Sequence, residues 1–243
     1  MKGSSLSIAR YGTWIVGPIC LWGSACDGLG ALEHTPSEAL RACADAPSQM
    51  HTIADVITQL NNMPAPVSAA CLVATVPRPL ALVATEGTNS AQPASSRESP
   101  RIFLRTDGLV IGVVPDGDGG KLLEFGEWTT STRTLKGELE APVLGPLADD
   151  AAYQHALYSP SSTACGLCHL DEAPHPTIPS AFVSDAFRPL PDSIVPLDEL
   201  RAMHDACVVE QDSGARCEMF HALFDFGDVV DGPFDDEVST FTR

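Results

Sequence analysis

The sequence predicts an α+β protein: N-terminal helices, an antiparallel β-rich middle built as a sheet or small sandwich, and a C-terminal part made of a proline-rich segment and a helical hairpin. Three observations predict it. Apolar residues recur at helical spacing near both ends of the chain, and between about residues 68 and 148 the pattern shortens to alternation broken by Gly, Pro, Asp and Ser. The 243 residues are 44% hydrophobic, enough to bury a core. The chain divides on this reading into residues 1–25, 26–67, 68–148 and 149–243.

Residues 1–25 read as an export signal peptide. Lys2 and Arg10 supply the positive region, Tyr11 to Trp22 an apolar core too short to span a bilayer, and Gly23-Ser24-Ala25 a small-residue cleavage zone. Thr35-Pro36-Ser37-Glu38 places a hydroxyl cap, a proline and a glutamate as a capping box does, opening a helix through about Ala46. A second helix covers His51 to Asn62, because Ile53, Val56, Ile57 and Leu60 share one face. Met63-Pro64-Ala65-Pro66 stops it.

Strands are predicted at Ala70 to Val76, Leu80 to Ala84, Arg101 to Arg105, Leu109 to Val114, Lys121 to Phe125 and Arg133 to Glu140. Thr106-Asp107-Gly108 and Asp116 to Gly120 are turns, and the second lacks the downstream glutamate that a calcium loop of the EF-hand kind needs. Glu86 to Pro100, rich in Ser, Gly and Ala, reads as a long exposed loop. Leu135, Gly137 and Leu139 alternate with Lys136, Glu138 and Glu140, which predicts a strand with one face in water.

Asp149 to Leu157 reads as a short helix, and the proline-rich run from Ala173 to Pro196 as extended or turning chain. Leu197, Leu200, Met203, His204 and Cys207 mark one helix, and Cys217, Phe220, Leu223 and Phe224 another, with Glu210 to Ala215 between them. The acidic ending from Asp228 to Glu237 reads as a solvated tail.

Asp and Glu number 32 against 14 Lys and Arg, a formal charge of −18. Such a surface repels phosphate backbones and anionic lipid headgroups, which excludes nucleic acid and favours a basic partner protein. There is no Gly-x-Ser-x-Gly elbow, no His-Glu-x-x-His and no Gly-Lys-Ser/Thr phosphate loop, so an electron carrier or binding protein is favoured over a catalyst.

The stretch with distinctive chemistry is Cys165-Gly166-Leu167-Cys168-His169. This Cys-x-x-Cys-His pattern resembles the haem-attachment motif of c-type cytochromes, and the resemblance covers these five residues alone. It implies one covalent haem c with thioether bonds at Cys165 and Cys168, His169 as proximal iron ligand, and electron transfer outside the cytoplasm. His175 or Met203 is the distal candidate, with Met219, His204 and His221 as further donors. Unlike the small soluble cytochromes, this chain sets the motif after a β-rich region. Three other readings stand beside haem: a structural disulfide between Cys165 and Cys168, zinc held with His169 or His175, and a Cys-x-x-Cys pair resembling the thioredoxin-type active motif.

Leu21 to Cys26 loosely resembles a bacterial lipobox, with Gly23 where Leu is usual, and implies lipidation at Cys26. The N-terminal lipid is then the membrane contact, placing the chain in the bacterial cell envelope, at the periplasm or outer membrane surface. Of the 8 cysteines, Cys20 leaves with the leader and Cys26 carries lipid, so Cys43 with Cys71 and Cys207 with Cys217 are the expected disulfides beside the motif pair. The whole chain resembles a group of bacterial exported, lipoprotein-like proteins that carry this motif, a likeness that implies no activity. The alternative to a haem carrier is a non-catalytic, disulfide-stapled envelope lipoprotein that binds a partner.

Overall fold

The computed structural model describes residues 35–46, 48–207 and 214–241. The expected signal peptide, Cys26 and most of the loop from Glu210 to Ala215 lie outside the described residues. Three helices come first: α1 (Glu38–Ala44), α2 (Ile53–Asn62) and α3 (Ala69–Ala74). The strands β1 (Leu80–Thr85), β2 (Arg101–Arg105), β3 (Leu109–Val113), β4 (Leu122–Trp128) and β5 (Arg133–Glu140) follow. Beyond them come α4 (Ala151–Ala156) and the short strands β6 (Leu157–Ser159), β7 (Ser162–Thr163), β8 (Ala173–Pro174), β9 (Phe182–Asp185), β10 (Phe187–Arg188) and β11 (Ile194–Val195). The chain closes with α5 (Leu197–Asp205), α6 (Gly214–Phe224), β12 (Val229–Asp231) and β13 (Ser239–Thr240). The class is α+β, as predicted.

Local chemistry sets the helix starts. The cap of α1 is Ser37 and not Thr35: its hydroxyl accepts from Leu40 N at 3.1 Å, which moves the helix start two residues along the chain. α2 opens on a reciprocal capping box, Thr52 with Asp55, and buries Ile53, Val56, Ile57 and Leu60. α3 corrects the expected strand at Ala70 to Val76. Its residues are almost all buried, so they carry no period, and the Ser68 cap decides for helix by accepting from Cys71 N at 3.0 Å. The Cys43–Cys71 disulfide then ties α3 to α1.

The nine-stranded sheet runs β11-β1-β2-β3-β4-β5-β9-β8, antiparallel along this path, with β12 parallel to β1. Pairing sets Leu82 opposite Leu104, Leu104 opposite Ile111, Ile111 opposite Phe125 and Phe125 opposite Gly137. That row is the core face. Gly137 leaves room there for the helices, since a Cβ on it would lie 3.1 Å from Ile53 Cδ1 and 3.2 Å from Ala152 Cβ. α5 and α6 are bridged by Cys207–Cys217 as expected, and α6 buries Phe220, Leu223 and His221.

Two further expectations change. The acidic ending is not a tail: β12 adds to the sheet, β13 pairs with β10, and Val238 is fully buried while the carboxylates face water. The segment from Glu86 to Pro100 is coil but only partly exposed, because Gln92 is fully buried. Its amide Nε2 donates to the carbonyls of Gly112 at 3.1 Å, Gly119 at 3.2 Å and Leu122 at 2.7 Å. The third and fourth segments of the sequence division are interleaved, since β8, β9, β11 and β12 complete a sheet begun by β1 to β5.

Gln92→Ala removes a buried amide donor that three carbonyls share. It is expected to destabilise the chain by about 2–3 kcal/mol, read from the midpoint of urea unfolding. A shift under about 0.5 kcal/mol, the range of an ordinary surface change, would show that the loop does not depend on this amide.

Candidate functional site

The second face of the sheet carries the site. Thr134, Lys136 and Glu138 of β5 lie on the face opposite Leu135, Gly137 and Leu139 and yet are only 3%, 6% and 9% exposed. The expectation of a water-facing surface there fails at these positions, and holds only at Glu140, because Lys136 meets His169 and the Asp185 backbone, and Glu138 meets His155 of α4.

That segment is assembled by local bonds. The β6–β7 hairpin returns Ala164 to α4, where its N–H donates to Ala156 O at 2.9 Å. A tight 3-10 turn over Cys165–Leu167 follows, and the N–H groups of Cys168 and His169 both donate to Cys165 O, at 3.0 and 2.8 Å. The carboxylate of Glu172 clasps the turn by accepting from Thr163 N at 2.9 Å and from the Thr163 hydroxyl. A Cβ on Gly166 would lie 2.6 Å from Glu172 Oε1, so a larger residue between the two thiols would displace this carboxylate from its clasp.

His169 is held from one side only. Its Nδ1 lies 2.7 Å from the carbonyl oxygen of Asp185. A carbonyl can only accept, so Nδ1 carries the proton and Nε2 keeps its lone pair, the tautomer that binds a metal through Nε2. Nε2 has no hydrogen-bond partner among the described residues. Phe187 stacks on the imidazole with centroids 5.3 Å apart. Asp185 is itself fixed: its N–H donates to Leu170 O at 3.1 Å, and Arg133 reaches its carboxylate at 3.3 Å and the Asp171 carbonyl at 2.5 Å.

Lys136 Nζ donates to Thr134 Oγ1 at 2.7 Å and to Asp185 O at 3.2 Å, so it shares the acceptor used by His169 and stands 3.3 Å from Nδ1. Burial pushes this amine down to about 8. Burial first, and then the charge of Lys136, pushes His169 down to about 3, which leaves the imidazole neutral at neutral pH. Burial and the neighbouring Glu124 push the Cys165 thiol up to about 11. A disulfide-exchange catalyst needs the opposite shift at the first cysteine of its motif, so the thioredoxin-type reading loses its chemistry.

Cys165 and Cys168 are free thiols, whereas the other two pairs are bridged. The structural-disulfide reading of the motif therefore finds no bond here. Both thiols and His169 line one open cleft of about 920 Å³, counting its space out to solvent, walled by Phe103, Phe187 and Phe241 with Arg101 and Arg188. A smaller recess of about 520 Å³ shares Cys165 and His169 and extends to Trp128 and Phe234. Arg101 pairs with Glu124 across the floor and lies 4.6 Å over the Phe103 ring.

The expected distal ligands are not in this cleft. His175 Nδ1 accepts from the backbone N–H groups of Ile178 at 3.2 Å and Thr177 at 3.4 Å, so its proton sits on Nε2 and the ring caps its own loop. Met203 packs against the main core, Met219 is buried within it, and His204 and His221 meet Asp225 between α5 and α6. No Met, and no His beyond His169, lines the cleft among the described residues. Zinc at the motif likewise lacks support: among the described residues, those close enough to share one ion include neither Cys165 nor Cys168.

Sequence reasoning missed Lys136, Asp185, Arg101, Glu124, Thr163 and Glu172. The one available signal was the alternate polar row of β5, which reads the same for a solvent face and for a covered one. No protein-family model, curated protein or solved structure matches the chain.

Because the folded site keeps His169 neutral and the unfolded chain protonates it, the unfolded state binds more protons between about pH 3 and 6.5. Stability conferred by this group is full above that window and is lost as pH falls through it. His169→Asn retains a donor for Asp185 but does not titrate. Between pH 6.5 and 5, urea unfolding of the haem-free chain should lose about 1.6 kcal/mol more in wild type than in this variant; equal losses would show that His169 is not buried as described.

Proposed function

We propose that this chain is an exported c-type haem protein that carries single electrons at the bacterial cell envelope. The observation that supports this best is the clamp on His169, which leaves Nε2 as a neutral lone pair beside two free thiols that line the same cleft. In this reading Cys165 and Cys168 take the thioether bonds and His169 Nε2 is the proximal ligand. Bound haem c would supply reversible one-electron iron chemistry.

The chain's own residues do the rest. The high thiol value of Cys165 keeps it protonated and slow to oxidise before attachment, as addition of S–H across a vinyl group needs. Phe103, Phe187 and Phe241 offer apolar walls, while Arg101 and Arg188 offer cations for carboxylate side groups. With His175 and Met203 elsewhere, the proximal side alone is supplied with a ligand by the described residues.

The Cys43–Cys71 and Cys207–Cys217 bridges fit an oxidising compartment, in keeping with an export signal and a lipid anchor at Cys26. A formal charge of −18 favours a basic redox partner and disfavours nucleic acid. Leu167 and Leu170, 67% and 63% exposed beside the motif, give such a partner apolar contact next to the cleft.

Protein exported from a host with haem-attachment machinery should show a haem spectrum, and haem staining that survives a denaturing gel. Cys165→Ala/Cys168→Ala should lose the stain. A colourless wild type, made beside a reference cytochrome that loads, would overturn the proposal.

A further inference from the structure

The α5–α6 hairpin holds a second cluster that the haem reading does not use. His204 stands in the last turn of α5, His221 in the last turn of α6, and Asp225 one turn beyond His221. One ligating atom from each lies within 4.8 Å of the other two. Asp225 presents one carboxylate oxygen 2.7 Å from His204 Nε2 and the other 2.6 Å from His221 Nδ1. The two imidazoles meet edge to face, 83° apart with centroids at 5.3 Å, so both can aim a nitrogen at one point without their faces clashing.

We infer that His204, His221 and Asp225 form a binding site for a divalent transition metal, with zinc the ion that a two-imidazole, one-carboxylate set fits best. Three protein ligands and an open position is the arrangement expected. His221 is fully buried, while the side chains of His204 and Asp225 remain 18% and 19% exposed, so water reaches the fourth position from their side. A tetrahedral ion with bonds of about 2.0–2.1 Å needs its ligand atoms about 3.3 Å apart, so the site opens by less than about 1 Å to admit it.

Two features favour an ion over a simple hydrogen-bonded triad. Asp205 stands 3.3 Å from His204 Nδ1, placed as the outer-shell acceptor that orients a ligating imidazole, so that an ion on Nε2 would replace only the Nε2 bond to Asp225. His221 Nε2 is buried with no hydrogen-bond partner. In the metal-free form Nδ1–H serves Asp225 and Nε2 is an idle acceptor; an ion on Nδ1 replaces that one hydrogen bond by coordination and moves the proton to Nε2, which has no other bond to lose. The ion would join the Cys207–Cys217 bridge in pinning α5 to α6.

The site is independent of the haem proposal. The full chain carrying Cys165→Ala/Cys168→Ala, stripped with chelator, removes thiol binding as a confounder. Titration with zinc in a calorimeter should show one saturable site, with a rise in melting temperature on binding. His204→Gln and Asp225→Asn should each weaken zinc at least tenfold, with circular dichroism confirming that both remain folded. Cobalt should give a tetrahedral visible spectrum that both variants lose. Failure of the folded parent to bind zinc, or a zinc affinity in either variant equal to the parent's, would overturn the inference.

Discussion

The hydrogen bond from His169 Nδ1 to the Asp185 carbonyl is the contact on which the site depends. It ties a motif on a surface loop to β9, and through the pairing of Thr134 with Ser184 and Leu135 with Val183 to the rigid strand β5. Its direction is forced, because a carbonyl has no proton to give. That single constraint selects the tautomer, sets the ring plane against Phe187 and leaves Nε2 unclaimed. Lys136 leans on the same oxygen, so the cation helps hold the imidazole neutral without competing for Nε2.

The sheet makes this arrangement affordable by keeping its two faces apart. One face, from Leu82 through Leu104 and Ile111 to Phe125, packs on the helices and supplies the hydrophobic stabilisation. The other carries Arg101, Glu124, Lys136 and Glu138, charged groups that burial alone would not tolerate. They are reconciled by pairing: Arg101 with Glu124, Lys136 with Thr134 and the Asp185 carbonyl, and Glu138 with His155 at 3.0 Å. Burial and the nearby Glu124 still hold the Glu138 carboxyl above its usual range.

Much of this was legible in the residues. β2 and β5 fall where alternation places them, the four bridged cysteines pair as parity and spacing suggest, and the motif announces its own chemistry. The failures have physical causes. A uniformly buried helix such as α3 has no period to detect. A polar row such as Lys136 and Glu138 looks identical whether water or another segment covers it. A loop such as Glu86 to Pro100 hides a buried polar side chain, Gln92, whose three partners come from residues 20 to 30 positions away. Proximity in sequence made His175 attractive as a distal ligand, but its Nδ1 is spent on two local amides.

The most direct measurement is intact and peptide-level mass spectrometry of protein exported from a haem-attaching host. The account predicts a chain heavier by one haem, with the added mass confined to the peptide that contains Cys165 and Cys168. An unmodified mass, obtained while a reference cytochrome from the same host carries its haem, would contradict it.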